Sequence, residues 1–170
     1  MSEVSDVKIR TALENDLPYI LDIINDSIET STADYRYDTI NATDLKVWYK
    51  NHIANNEPVL VAEIGDVIVG YATYGQFRER IGFQYSVEHS IYCHNDYKGK
   101  GIGKLLMNEL IAHAKNSTSH TMVACIDAEN HSSIKFHEKL GFMNVGQMKQ
   151  IGFKFNRFLD MAIMQLMLQK

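Results

Sequence analysis

The chain has 170 residues, of which 45% are hydrophobic and 22% charged, a balance that predicts one globular domain over residues 1–170. Its net charge of −4 argues against a basic surface for nucleic acid. No apolar run predicts a membrane span, and residues 1–6 do not resemble a secretion signal. Together with Cys93 and Cys125, which lie in apolar runs and are expected to be buried, reduced thiols, this predicts a cytoplasmic protein. The seven histidines are scattered, so no metal site is expected.

Hydrophobic periodicity predicts alternating strands and helices along the whole chain. The N-terminal half predicts a strand over 7–12, helices beginning at residues 15 or 16 and 43 or 44, and strands over 58–63, 67–74 and 85–93. The C-terminal half predicts a helix from residue 101, a strand over 121–126, a helix over 130–140 and strands near 142–147 and 158–168. The order βααβββαβαββ predicts an α/β fold in which helices flank a mixed, mostly antiparallel central sheet.

Residues 98–104 form a glycine-rich segment, Lys-Gly-Lys-Gly-Ile-Gly-Lys, between a predicted strand and a predicted helix. Such a turn directs N–H groups outward, and a helix N-terminus adds about half a positive charge. A phosphate or pyrophosphate would therefore bind here. A P-loop needs four residues between its first glycine and the Gly-Lys pair, whereas three separate Gly99 from Gly103. The spacing of a dinucleotide-binding loop is also absent, and a loop that only turns the chain is the alternative.

The same segment is similar to the phosphate-binding loop Q/R-x-x-G-x-G/A of the GCN5-related N-acetyltransferase superfamily, with Lys98 in place of the usual Gln or Arg. A second superfamily motif is matched by Asn130, Ser133 and the pair Gly141-Phe142. The order of elements also resembles the superfamily fold. The resemblance implies an enzyme that uses acetyl-CoA as the acetyl donor. The implied coenzyme-binding residues are Ile91, Tyr92, Cys93, Gly99, Lys100, Gly101, Ile102, Gly103, Lys104 and Asn130.

Some of these residues have a simpler interpretation. Lys100 and Lys104 could be solvated surface lysines, and Asn130 could cap the helix that follows it. The resemblance also implies that the strand containing residues 91–93 diverges from its neighbour. Its free backbone N–H groups would then stabilise the oxyanion of the reaction.

Three longer segments, residues 85–92, 130–142 and 152–160, resemble the phosphinothricin / methionine sulfoximine N-acetyltransferase branch of the superfamily. This resemblance covers nearly the whole chain. It implies acetylation of the α-amino group of small amino-acid analogues, and it implies a homodimer.

Two residues are candidate catalytic groups. Glu88 lies in an apolar strand, where a carboxylate is costly unless it is paired or used, and the sequence alone leaves a structural salt bridge open. The branch resemblance implies that Glu88 is the general base, acting through water on the substrate ammonium. His137 stands where the wider superfamily has a tyrosine that protonates the leaving thiolate, and imidazole can fill that role. A structural histidine is the alternative.

Substrate choice is expected to involve the segment before the Glu88 strand. Arg78 or Arg80 could bind a carboxylate with two parallel hydrogen bonds, although surface arginines are often only solvated and the choice between the two stays open. The resemblance implies the substrate-binding residues Arg78, Glu79, Arg80, Glu88, His89 and Ser90. It also suggests that Phe153 and Phe155 cover the pocket across a dimer interface.

The sequence therefore predicts an acetyl-CoA-dependent N-acetyltransferase for a small amino-acid-like amine, without nucleic-acid or membrane partners. One alternative is acetylation of another amine, such as a polyamine or a protein N-terminus. A polycationic substrate would favour an acidic pocket, whereas this chain offers Arg78 and Arg80. The other alternative is a non-catalytic acetyl-CoA-binding module, which the presence of Glu88 and His137 argues against.

Overall fold

The computed structural model of the protein describes residues 6–168. Within that range four α-helices and seven β-strands follow one another in the predicted order. They are β1 (Val7–Thr11), α1 (Leu17–Thr30), α2 (Ala42–Ala54), β2 (Val59–Ile64), β3 (Val67–Gln76), β4 (Ser86–Cys93), α3 (Ile102–Lys115), β5 (Thr121–Asp127), α4 (His131–Lys139), β6 (Met143–Lys154) and β7 (Arg157–Met167).

The seven strands form one sheet in the order β1-β2-β3-β4-β5-β7-β6. Every neighbouring pair is antiparallel except β4 and β5, which are parallel and are joined through α3, as a parallel pair requires. The fold class predicted from the sequence is thus confirmed.

Pairing between β4 and β5 is short. It runs from Ser86 opposite Thr121 to Glu88 opposite Val123, whereas β4 continues to Cys93 and β5 to Asp127. The two strands therefore diverge beyond Glu88 and leave a gap in the middle of the sheet.

Helices cover both faces of the sheet. On one face α3 buries Ile102, Leu106, Met107, Leu110, Ile111 and Ala114 in a core cluster that also includes Val87 of β4. On the other face α1 buries Leu17, Ile20, Ile23, Ile24 and Ile28, which pack with Tyr71 and with residues of α2. Both helices show apolar residues at the spacing expected for one buried face, which explains why the sequence located them well.

The C-terminal hairpin differs most from the prediction. Strand β6 reaches Lys154 rather than residue 147, and it is exposed along nearly its whole length. Its pairing with β7 shifts in register after Asn144 and after Met148, where Gln150 has a positive φ of 51°. A strand without a buried face shows no alternation of apolar and polar residues, and the register shifts interrupt any alternation that remains.

The cysteine prediction needs a correction. Cys93 and Cys125 are free thiols, but both are half-buried rather than buried, because they lie where β4 and β5 diverge. Burial still raises the pKa of Cys93 to about 11. Within residues 6–168 no helix is both long and apolar enough to cross a membrane.

Candidate active site

A cavity of about 310 Å³ opens in the gap between β4 and β5. Its walls come from the two strands, from the segment between α1 and α2, and from the first turns of α4. The lining residues are Thr32, Ala33, Asp34, Tyr35, Glu88, His89, Ser90, Ile91, Tyr92, Ala124, Cys125, Ile126, Asp127, Asn130, Ser133, His137 and Met161. Both predicted catalytic residues thus lie in one cavity, together with some of the predicted coenzyme and substrate residues.

Glu88 lies at the point where the two strands separate. Its carboxyl group is half-buried, and this burial raises its pKa, an effect that the Cys125 thiol and the charge of Arg78 partly offset. In return, burial and the neighbouring carboxylate raise the pKa of Cys125 to about 12. The thiol therefore stays protonated at neutral pH, and the carboxylate is the group of this pair that can act as a base.

The hydrogen-bonding pattern of β4 determines which backbone groups face the gap. The bonds Phe77 N–H to Ser86 O and His94 N–H to Val69 O, each 2.9 Å, show that even-numbered residues of β4 bond to β3. By alternation the N–H groups of Ile91 and Cys93 point toward β5, beyond the last paired residues. Tyr92 instead contributes its side chain, because its N–H faces β3.

The glycine-rich segment forms an open turn before α3. Gly99 and Gly101 have φ angles of 76° and 82°, a left-handed conformation that favours glycine. Among the described residues, no carbonyl or side chain accepts a hydrogen bond from the N–H groups of residues 99–103. Lys104 is exposed, and the ammonium of Lys100 lies 4.8 Å from the ring centre of Tyr97. Consecutive free N–H groups at a helix N-terminus fit a pyrophosphate.

Asn130 caps α4, as the simpler interpretation predicts. Its Oδ1 accepts hydrogen bonds from Ser133 N–H at 3.1 Å and from the Ser132 hydroxyl at 2.9 Å. No described residue accepts from its side-chain NH₂ group, although Asn130 lines the cavity. The cap is therefore compatible with a second contact to a bound coenzyme.

His137 is 2% exposed and contacts His89. Its Nδ1 lies 2.7 Å from the carbonyl oxygen of Ser133, and its Nε2 lies 3.0 Å from Nε2 of His89. The two rings stack with centres 5.0 Å apart and planes 19° apart. Both ring nitrogens of His137 are thus engaged within the protein. Its assignment as proton donor to the thiolate stays a prediction.

The predicted substrate residues fall in two places. Ser90 lines the cavity together with Glu88, and His89 points toward His137. Arg78, Glu79 and Arg80 line a separate surface concavity. The charge of Arg78 still acts on Glu88 and opposes the rise in its pKa.

Sequence reasoning missed the wall formed by residues 31–36. Tyr92 donates a hydrogen bond to the Asp34 carboxylate at 3.4 Å, and Thr32 donates one to Asp127. The Arg36 guanidinium pairs with Asp34 at 2.5 Å, and although burial opposes it, this pairing lowers the pKa of that carboxyl. The signal available in the sequence was an 11-residue connection (residues 31–41) between two helices, which is longer than most and therefore a candidate functional loop.

Lys154 connects this wall to the C-terminal hairpin. The side chain is buried, with the residue 4% exposed, and its ammonium donates to the carbonyl oxygens of Ile28, Ser31 and Asp34 at 2.6, 2.8 and 2.5 Å. Tyr35 is also constrained, since a Cβ added at Gly152 would lie 2.5 Å from its ring. The hairpin thereby determines where the cavity wall lies.

The part of the chain that the structure describes contains no group of three or more His, Cys, Asp or Glu side chains able to hold a metal ion.

A mixed sheet that opens between its two parallel strands, with a glycine cradle at the following helix, defines an acetyltransferase fold. The model of the acetyltransferase (GNAT) family matches residues 20–142, and the chain belongs to this family. It is an acetyl-CoA-dependent N-acetyltransferase. The resemblance noted in the sequence is confirmed.

Relatives are similar over nearly the full length. The chain is 38% identical to the L-amino acid N-acyltransferase MnaT of Escherichia coli, over 96% of this chain and 95% of the relative. It is 40% identical to an L-methionine sulfoximine/L-methionine sulfone acetyltransferase of Salmonella typhimurium, over 95% of each chain. A phosphinothricin acetyltransferase of Sinorhizobium meliloti, solved in complex with acetyl-CoA, superimposes with a TM-score of 0.93 at 34% identity, covering 96% of this chain and 89% of that one.

Proposed function

We propose that this enzyme transfers an acetyl group from acetyl-CoA to the α-amino group of small amino-acid analogues of the methionine sulfoximine, methionine sulfone or phosphinothricin type. The observation that carries the proposal is a half-buried carboxylate, Glu88, which lines the cavity and whose pKa is influenced by the positive charge of Arg78 in the neighbouring concavity. A base and a cation together suit a substrate that carries both an amine and an acid group. The relatives named for such substrates support the same class.

The coenzyme is held along the gap and the glycine cradle. The free N–H groups of residues 99–103 bind the pyrophosphate, with Lys100 and Lys104 adding positive charge. Ile91, Cys93 and Asn130 offer backbone or amide donors to the arm that enters the gap. Acetyl-CoA supplies an acetyl group activated as a thioester.

Glu88 accepts the proton of the substrate ammonium, directly or through water. An α-amino group has a pKa of about 8, so most of it is protonated at neutral pH and cannot attack the thioester. Burial raises the pKa of the Glu88 carboxyl toward the operating pH, and a base works best when its pKa lies near that pH.

The oxyanion that forms on the acetyl carbonyl is stabilised by the N–H of Ile91, which points into the gap. A preformed backbone donor of this kind contributes about 3 kcal/mol or more to the transition state. His137, beside the same wall, assists departure of the thiolate.

The substrate carboxylate binds Arg78 or Arg80. We expect the amino acid analogues to be acetylated and their decarboxylated amines to be poor substrates, with release of the CoA thiol as the readout. Arg78→Gln and Arg80→Gln should each be measured. Replacing the arginine that binds the substrate carboxylate should raise KM and leave kcat unchanged, if that ion pair is equally strong in the ground state and the transition state. Equal kcat/KM for an acid and its decarboxylated amine would contradict the proposal, and preference for a polyamine would favour another amine class.

We also propose a homodimer that works in the cytoplasm. Large apolar side chains are exposed on the β6–β7 hairpin: Met143, Val145, Met148, Ile151, Phe153, Phe155, Phe158 and Met167. A patch of this kind suits a protein interface. We expect twice the chain mass in sedimentation equilibrium and a monomer for Phe158→Asp. Val47→Asp, at an exposed apolar position on α2, is the control. A monomeric wild-type protein would contradict this part of the proposal.

A further inference from the structure

His89 and His137 form a buried pair, and the proposed chemistry gives a role only to His137. His89 is 8% exposed and His137 is 2% exposed. Phe142 lies edge-on against both rings, with centre distances of 5.6 and 5.2 Å. Desolvation, with a further contribution from the neighbouring ring, lowers the pKa of His89 to about 3, and desolvation also lowers the pKa of His137. Both rings are therefore neutral near pH 7, and each carries one ring proton.

The hydrogen-bond partners determine where those two protons lie. A carbonyl oxygen can only accept, so the Nδ1 of His137, 2.7 Å from the Ser133 carbonyl, must carry the proton of that ring. Its Nε2 is then a bare acceptor. Because the two Nε2 atoms are 3.0 Å apart, the Nε2 of His89 must be the donor, since two lone pairs would otherwise face each other.

The remaining nitrogen supports this assignment. The Nδ1 of His89 is buried and has no hydrogen-bond partner among the described residues. With the proton on Nε2, this atom is an unpaired acceptor. With the proton on Nδ1, it would be an unpaired buried donor, and the contact to His137 would be repulsive as well. One unpaired acceptor is the smaller penalty.

We propose that His89 is a positioning residue. Its Nε2–H donates a hydrogen bond to the Nε2 of His137 and so holds in one orientation the ring whose proton the Ser133 carbonyl keeps on Nδ1. The proton of His137 then lies on the side of Ser133, whose hydroxyl oxygen is 3.5 Å from that Nδ1 and which lines the cavity. A histidine whose second nitrogen is held in this way is fixed both in tautomer and in ring orientation. The effect of His89 on turnover rests on the proposed function, but the tautomer does not.

The test combines spectroscopy with a matched pair of variants. Long-range ¹H–¹⁵N correlation spectra of the ¹⁵N-labelled wild-type protein at pH 7 report which nitrogen of each ring is protonated. We expect Nδ1–H for His137 and Nε2–H for His89. His89→Gln keeps an N–H donor, whereas His89→Leu fills the space without one. We expect the proton of His137 to stay on Nδ1 in His89→Leu, but the ¹⁵N resonance of its Nε2 to move to the position of an acceptor without a hydrogen bond. We expect kcat to fall by about 10- to 100-fold with KM for acetyl-CoA little changed, and His89→Gln to restore both the resonance and kcat.

The outcomes separate this inference from the proposed function. An Nε2–H tautomer or a charged ring for His137 in the wild-type protein would overturn the inference whatever the activity. The same holds if His89→Leu leaves the Nε2 resonance of His137 unchanged, or if both variants lose kcat equally, since the hydrogen bond from His89 would then have no effect. If the wild-type protein shows the expected tautomers but acetylates no amine, the proposed function fails and the pairing stands.

Discussion

Replacing Lys154 by Met tests how the hairpin holds the cavity wall. The three carbonyls that Lys154 bonds, those of Ile28, Ser31 and Asp34, accept no backbone N–H of the described residues, so the variant leaves all three without their partner. Leaving a buried group unpaired costs about 1–3 kcal/mol. We take the low end of this range for each carbonyl, because water can replace part of the lost hydrogen bonding. The variant also no longer buries an ammonium, whose pKa desolvation lowers. The three carbonyls together then cost about 3 kcal/mol.

This loss is measurable and leaves the protein folded, because domains of this size are stable by about 5–15 kcal/mol. We expect a melting temperature lower by about 6–12 °C and a parallel loss in urea denaturation. KM for the amine substrate should rise more than KM for acetyl-CoA, since the wall of residues 31–36 lies beside the cavity and away from the glycine cradle.

Lys149→Met is the matched control for this variant. Lys149 belongs to the same strand, but its side chain is 74% exposed and pairs with Asp160 at 2.8 Å, an arrangement that contributes little. The reasoning about Lys154 would be refuted if the two variants had the same stability, or if Lys154→Met raised both KM values equally.

Three further variants test the site. Glu88→Gln should lower kcat by about 10²–10⁴-fold yet raise the free energy of unfolding at neutral pH. Burial raises the folded-state pKa of Glu88 above its ordinary value of 4.5, so wild-type stability falls as pH rises through the folded pKa. The gain should disappear below pH 4.5, and a less stable variant at pH 7 would indicate a structural ion pair instead. Gly101→Asp should abolish acetyl-CoA binding in calorimetry, because it places a Cβ at a φ of 82° and a negative charge beside the pyrophosphate. Gly65→Asp, at a φ of 60° in the turn between β2 and β3, is the control, and equal affinity of the two variants for acetyl-CoA would contradict the assignment of the glycine-rich segment. Gly152→Ala should displace Tyr35 and raise KM for the amine, which a steady-state comparison with acetyl-CoA KM would show.

The sequence predicted those parts of the fold in which one face of an element is buried. Helices α1 and α3 carry apolar residues at helical spacing, and the hairpin of β2 and β3 is marked by Gly65, whose φ is 60°. Strand β6 was predicted too short because it has no buried face. Hydrophobic periodicity reflects the buried face of an element, so it cannot define the ends of a strand that is exposed on both faces.

The site was predictable to the extent that it lies on regular elements. Glu88, Asn130 and His137 come from a strand and a helix whose positions were predicted, and they line one cavity. Asp34 and Tyr35 were missed because they lie in a connection whose shape depends on a contact distant in sequence, that of Lys154 with Ser31 and Asp34. Such a contact leaves no local pattern.

The short pairing between β4 and β5 divides the sheet mechanically. Four strands lie on one side of this seam and three on the other, and the ladder between them has three residue pairs. A molecule bound in the gap therefore takes the place of the missing hydrogen bonds between β4 and β5 and contacts both halves of the sheet. Ligand binding in the cavity should therefore also reduce the motion of the two halves relative to each other. Hydrogen exchange at the Ile91 amide should slow when the gap is filled.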